Sequence, residues 1–177
     1  PKQELKTPFN CLEPNTRVRL QNLQKAPEKN GDMCVIESYD VKNSRYVVKN
    51  LEDQKQYKLK INNLQQIVPG AKVYGLESNK DLNGTKGTII GYVANKGRYW
   101  FRLPRHISKK PRALKPANVL LPDNTVVRII GLTKAPQMNG KYAKIISFDK
   151  EEERYVVQIT ESKRSKLKLE NVVASCN

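Results

Sequence analysis

The sequence predicts an all-β protein of three tandem five-stranded barrels joined by short linkers. Three observations carry that prediction. First, one motif is written three times. Asn30-Gly31, Asn83-Gly84 and Asn139-Gly140 each lie 15 residues before an Arg-Tyr pair, at Arg45-Tyr46, Arg98-Tyr99 and Arg154-Tyr155. Second, each copy holds about five short apolar stretches broken by turn residues, the signature of a small barrel. Third, no stretch keeps a helical period.

The elements follow in order. Residues 1–16 are polar and aperiodic and read as an extended arm, with Phe9 and Leu12 as its anchors. Repeat 1 spans residues 17–68. Its expected strands are Arg17 to Leu20, Cys34 to Tyr39, Arg45 to Lys49, Lys58 to Ile61 and Leu64 to Val68. A loop with Ala26-Pro27 and the Asn-Gly turn follows the first strand, because Asn-Gly readily supplies positive φ. Asn62-Asn63 reads as a tight or 3₁₀ turn. Repeat 2 covers residues 69–121 and repeat 3 residues 122–177. A leucine stands 7 residues before each Asn of the motif, at Leu23, Leu76 and Leu132. Each copy ends on Leu-Lys and then Asn plus an apolar residue: Leu59-Lys60 with Asn63-Leu64, Leu114-Lys115 with Asn118-Val119, Leu167-Lys168 with Asn171-Val172. A period near 55 residues sits at the lower size limit for a self-folding domain, so the barrels are expected to touch.

The net charge of +16 on 177 residues suits an anionic partner: RNA, DNA or an acidic protein surface. The excess concentrates in repeat 2, where residues 69–121 hold eleven basic and two acidic side chains. The three cysteines, Cys11, Cys34 and Cys176, occupy no equivalent positions and no metal-ligand spacing, and His106 is the single histidine. No structural metal, cofactor or small-molecule substrate is expected, and a reduced intracellular compartment is. No apolar run approaches membrane-spanning length and no signal peptide is visible, so no membrane insertion is expected. The chain starts at Pro1 rather than Met, which leaves room for a removed presequence.

Gly131-Leu132 through Val157 resemble SH3-like barrel repeats of algal and protist proteins, in which a Gly-Leu, Ala-Pro, Asn-Gly and Arg-Tyr-Val-Val string recurs. Arg17 through Val48 match the same string with Asn22 in place of the glycine. Repeat 2 departs from it, with Asn79-Lys80 for Ala-Pro and Trp100-Phe101 for Val-Val. The glycines between Asn83 and Leu103 also resemble a KOW element. The first resemblance implies an SH3-like fold; the second implies RNA- or ribosome-associated roles. Neither implies a defined activity.

Strand side chains alternate faces. Tyr99, Phe101 and Leu103 therefore form a core face, and Arg98, Trp100 and Arg102 the opposite one. Trp100 is the single tryptophan of the chain. It either stacks on a nucleic-acid base or packs against a neighbouring barrel or the 104–116 segment. Arg102, Arg105, Lys109, Lys110, Arg112 and Lys115 follow without an acidic residue between them, a pattern suited to phosphate. The candidate nucleic-acid-binding set is thus Arg98, Trp100, Arg102, Arg105, Lys109, Lys110, Arg112 and Lys115. Arg19, Lys72 and Arg128 align on the first strands and read as edge-protecting charges. The aligned aromatics Tyr39, Tyr92, Phe148 and Tyr46, Tyr99, Tyr155 read as core rather than as a methyl-lysine cage. No catalytic residue is expected, because no Ser or Cys has a partner in sequence and no phosphate-cradling glycine loop is present. The expected function is non-catalytic binding of RNA or another nucleic acid, centred on repeat 2. The alternative is a scaffold whose barrels bind protein surfaces.

Overall fold

The computed structural model describes residues 5–174. Cys176 and the first four residues of the arm lie outside the described residues. The described chain is all-β. Repeat 1 carries β1 (Arg17–Leu20), β2 (Met33–Asp40), β3 (Arg45–Asn50), β4 (Gln56–Leu59) and β5 (Leu64–Gln66). Repeat 2 carries β6 (Val68–Val73), β7 (Lys86–Val93), β8 (Arg98–Arg102), β9 (Arg112–Leu114) and β10 (Val119–Leu120). Repeat 3 carries β11 (Val126–Ile129), β12 (Tyr142–Asp149), β13 (Arg154–Gln158), β14 (Arg164–Lys168) and β15 (Val172–Val173). Each repeat is one five-stranded sheet with the same order, the last strand returning beside the first: β4-β3-β2-β1-β5, β9-β8-β7-β6-β10 and β14-β13-β12-β11-β15.

The repeated residues each have a structural task. The motif asparagine locks the long loop after the first strand. Its side chain accepts from the leucine N–H 7 residues earlier at 2.9 Å in all three repeats, and its amide donates back to that leucine's carbonyl. The asparagine backbone is extended, and only the following glycine takes positive φ, as at the centre of a type II turn: 97° at Gly31, 85° at Gly84 and 86° at Gly140. Asn22 occupies the left-handed conformation that Gly75 and Gly131 hold in the other repeats. The closing asparagine explains itself in the same way, since Asn63, Asn118 and Asn171 donate to carbonyls just past the first strand.

The fourth and fifth strands of repeat 1 depart from expectation by more than one residue. The fourth strand ends at Leu59, because residues Ile61–Asn63 form the 3₁₀ turn that Asn63 pins. The fifth ends at Gln66, and Val68 opens β6. The second strand of every repeat carries a bulge at one place, between Ile36 and Ser38, Ile89 and Gly91, and Ile145 and Ser147. A bulge bends and twists its strand, which helps a short sheet curl over its own core.

Residues up to Ile67 form one compact unit and those from Val68 a second. The first is filled by Val18, Leu20, Cys34, Ile36, Tyr46, Val48 and Leu64, with Cys11 and Leu12 of the arm. The arm docks there because Leu12 N–H donates to Tyr46 Oη at 2.9 Å. The second unit holds repeats 2 and 3 around one continuous core. The aligned aromatics pack as ring pairs, Tyr39 on Tyr46, Tyr92 on Tyr99 and Phe148 on Tyr155, with the second ring of each pair fully buried.

Repeats 2 and 3 meet through equivalent residues. Leu121, at the end of repeat 2, donates its N–H to Tyr155 Oη of repeat 3 at 2.8 Å. Ala174, the matching residue of repeat 3, donates to Tyr99 Oη of repeat 2 at 2.9 Å. The 3₁₀ turns Pro116–Asn118 and Leu169–Asn171 pack on one another. This reciprocity is the arrangement of an isologous dimer interface, made within one chain. Tyr74 adds an edge contact to Phe148 at 5.6 Å and a hydroxyl bond to Glu153.

Candidate functional site

The face opposite the repeat 2 core is built by β7, β8 and β9. Strand alternation buries Tyr99, Phe101 and Leu103 and turns Trp100 outward, where 42% of it is exposed. Pairing then sets its neighbours. Gly91 lies opposite Trp100 on β7 and Ala113 opposite it on β9. The indole passes over Gly91, whose missing Cβ would stand 3.6 Å from Trp100 Cδ1. The ring therefore has a low flat border on both sides.

The matching places in repeats 1 and 3 are built differently. Val47 lies between Ser38 and Lys58, and Val156 between Ser147 and Lys166. Each lysine spans to an aspartate on the second strand: Lys58 Nζ to Asp40 at 3.3 Å, and Lys166 Nζ to Asp149 at 2.8 Å. Lys166 also reaches Glu152 at 2.8 Å. These partners hold the Lys166 ammonium well above its usual range, and Lys166 in turn holds the Asp149 carboxyl below its own. Repeat 2 has Val93 for the aspartate and Ala113 for the lysine. The cross-strand ion pair is replaced by an apolar surface carrying one indole.

The basic segment leaves the end of β8. Residues 103–111 connect β8 to β9, a longer loop than residues 51–55 or 159–163 in the other repeats. Pro104 carbonyl accepts from Ile107 N–H at 2.9 Å and from Ser108 N–H at 3.1 Å, and Ser108 Oγ donates to the Lys110 carbonyl at 2.9 Å. The loop is thus a set of turns, with Arg105, Lys109 and Lys110 exposed on it. Arg102 and Arg112 are exposed at its two roots, on β8 and β9. Among the described residues, none of the eight candidate residues takes part in a salt bridge.

The eight candidates do not form one cluster. Trp100 and Arg102 belong to the outer hairpin face and Arg105, Lys109 and Lys110 to its loop, whereas Arg112, exposed at the loop's root, stands opposite Phe101 and so on the other side of the sheet from Trp100. Half-buried Arg98 and exposed Lys115 instead line a cleft of about 300 Å³ with Tyr92, Pro116, Ile130 and Glu170. Sequence reasoning missed Gly91 and Ala113 as the borders of the indole. The available signal was the loss of Asp40 and Asp149 at Val93, which marks repeat 2 as the copy without the ion pair.

His106 is exposed in the loop. Cys34 is fully buried, and desolvation, aided by Asp32 and Asp53, pushes its thiol up to about 11. Among the described residues no three His, Cys, Asp or Glu side chains gather as a metal site, and no helix is long and apolar enough to cross a membrane. No protein-family model matches the chain, and comparison with curated proteins finds no match.

Proposed function

We propose that the protein is a non-catalytic nucleic-acid-binding module whose contact surface is the outer face of repeat 2. The three sheets are read as SH3-like barrels, which their common strand order supports. One observation carries the functional reading. Trp100 stands open between Gly91 and Ala113, in the repeat richest in cations, and those cations lack carboxylate partners among the described residues. A base stacks on the indole, while Arg102, Arg105, Lys109, Lys110 and Arg112 take phosphates. A stacking platform needs an unpaired base, so single-stranded RNA is the preferred ligand, bound with little regard to sequence.

A scaffolding role is the second reading. It is favoured by the exposure of Trp100 and Ile107, two large apolar side chains of the same repeat. Binding of labelled oligouridine and of matched single- and double-stranded DNA, at two salt concentrations, separates the two. Salt-sensitive binding that is lost in a Lys109→Ala, Lys110→Ala, Arg112→Ala variant supports the nucleic-acid reading. Absence of binding at low salt overturns it.

A further inference from the structure

Repeats 1 and 3 share a groove that the outer face of repeat 2 does not involve. In repeat 1 it lies between the loop after β1, the end of β4 and the 3₁₀ turn, and has a volume of about 610 Å³. In repeat 3 it lies between the same elements and has about 420 Å³. The linings correspond position by position. Leu23, Lys25, Arg45, Leu59 and Lys60 form the first; Leu132, Lys134, Arg154, Leu167 and Lys168 form the second. Apart from Lys25 and Lys134, these are the repeated residues of the sequence motif itself: the leucine before Asn-Gly, the arginine of Arg-Tyr, and the Leu-Lys pair.

The charge of the grooves is one-sided. The repeat 1 lining contains Lys25, Lys29, Arg45, Lys58 and Lys60 and no carboxylate. Lys29 and Lys58 are taken up by Asp53 at 2.8 Å and Asp40 at 3.3 Å. Lys25, Arg45 and Lys60 have no ion-pair partner among the described residues. Arg45 is held at the rim by its own turn, donating to the carbonyls of Asn43 at 3.0 Å and Ser44 at 3.2 Å. In repeat 3 the same three cations recur, and Glu170 is the single acidic lining residue. The floor between the cations is aliphatic, Leu23 with Leu59 and Leu132 with Leu167.

We infer that the two grooves bind extended acidic peptide segments, whose carboxylates meet the three rim cations while an apolar side chain covers the leucine floor. Aliphatic floors favour peptide over nucleic acid. The repeat 3 groove has no aromatic ring on which a base stacks, and the repeat 1 groove has only one, Tyr57, whose hydroxyl donates to Asp53 at 2.6 Å. A proline-rich ligand fits poorly for the same reason, since its recognition uses aromatic-lined grooves. Repeat 2 has no third copy of the site. Ser78 stands where Lys25 and Lys134 do and Glu77 precedes it, so the third cation is missing, and Arg98 and Lys115 line a cleft with Tyr92 and Ile130 instead.

This inference is independent of the nucleic-acid reading, and one experiment tests both. The full chain is titrated calorimetrically with a peptide of alternating glutamate and leucine, with the glutamine-leucine peptide as control. Labelled oligouridine is measured on the same preparations. The variants are Lys25→Ser with Lys60→Gln, Lys134→Ser with Lys168→Gln, and all four together. All four lysines are exposed and outside the described ion pairs, so the fold is expected to persist, and circular dichroism checks it. The expected result is two acidic peptides per wild-type chain and one per chain in each double variant. In the quadruple variant the peptide binds at least about tenfold more weakly. Oligouridine affinity changes by less than about threefold, the loss being confined to long-range charge. Equal binding of the glutamine-leucine peptide, or unchanged binding of the acidic peptide to the quadruple variant, overturns the inference. So does loss of oligouridine and acidic peptide in parallel, which would make the grooves part of the nucleic-acid surface.

Discussion

The amide of Ala174 donates to the hydroxyl of Tyr99 at 2.9 Å, across 75 residues and from one repeat to the next. Its counterpart, Leu121 to Tyr155, runs in the opposite direction at 2.8 Å. Each tyrosine is essentially fully buried, and desolvation raises both phenols far above their usual range. Removing either hydroxyl strands a buried N–H. Tyr99→Phe and Tyr155→Phe are each expected to destabilise the chain by about 1–3 kcal/mol. Because repeats 2 and 3 share one core, their amides are expected to exchange with a common protection loss in either variant, measured by hydrogen exchange. Loss confined to the mutated repeat would count against a cooperative pair.

Trp100 is the single tryptophan, so its fluorescence reports directly on the proposed face. Oligouridine is expected to quench it. Trp100→Ala is expected to lower affinity by about 1–3 kcal/mol while leaving the salt slope unchanged, since no phosphate contact is removed. The Lys109, Lys110, Arg112 variant is expected to lower affinity and flatten that slope together. An unquenched indole at saturating oligouridine would place the contact elsewhere.

Two glycines of β7 give opposite outcomes. A Cβ at Gly87 would stand 2.4 Å from the buried Phe101 ring and 2.5 Å from the Arg102 carbonyl. Gly87→Ala is therefore expected to cost about 1–3 kcal/mol or more by overpacking, read from urea unfolding. Gly91 has its nearest neighbour at 3.6 Å and tolerates a side chain. Gly91→Ser, which installs the residue that repeats 1 and 3 carry there, is expected to leave stability nearly unchanged. Its effect is to crowd the indole face and weaken oligouridine binding.

Asp53 is expected to govern the acid limb of stability in the first unit. Lys29 Nζ, then Tyr57 Oη and the Lys55 N–H, hold its carboxyl well below the usual range. A carboxyl depressed on folding contributes stability above its unfolded value and loses it as pH falls through the folded one. Thermal midpoints of the wild-type chain are thus expected to decline below pH about 4. Asp53→Asn is expected to melt lower at neutral pH and to show a shallower acid decline. Parallel acid curves for the two proteins would remove Asp53 from this role.

Much of the architecture is readable from the chain because its causes are local. Period-2 alternation assigns Tyr99, Phe101 and Leu103 to the core and Trp100 to the outside. Asn-Gly marks the loop closure, and the 53- and 56-residue periods mark the repeats. The borders of the indole were less legible. Gly91 follows from counting back from the Val93–Arg98 pair, but Ala113 meets Trp100 across the 103–111 loop, and counting along the sequence does not say where β9 resumes pairing.

The sequence by itself determined three copies of one five-stranded sheet, the inward and outward faces of each strand, and repeat 2 as the basic copy. Only the tertiary structure decided that repeats 2 and 3 close on each other through Leu121 and Ala174. It alone brought Lys25, Arg45 and Lys60 to one groove and Lys134, Arg154 and Lys168 to another. The physical reason is range. Alternation and turn chemistry act over a few residues and leave a periodic trace. The packing of a buried tyrosine against a distant amide, or of three cations around two leucines, depends on which surfaces remain after every local preference is met.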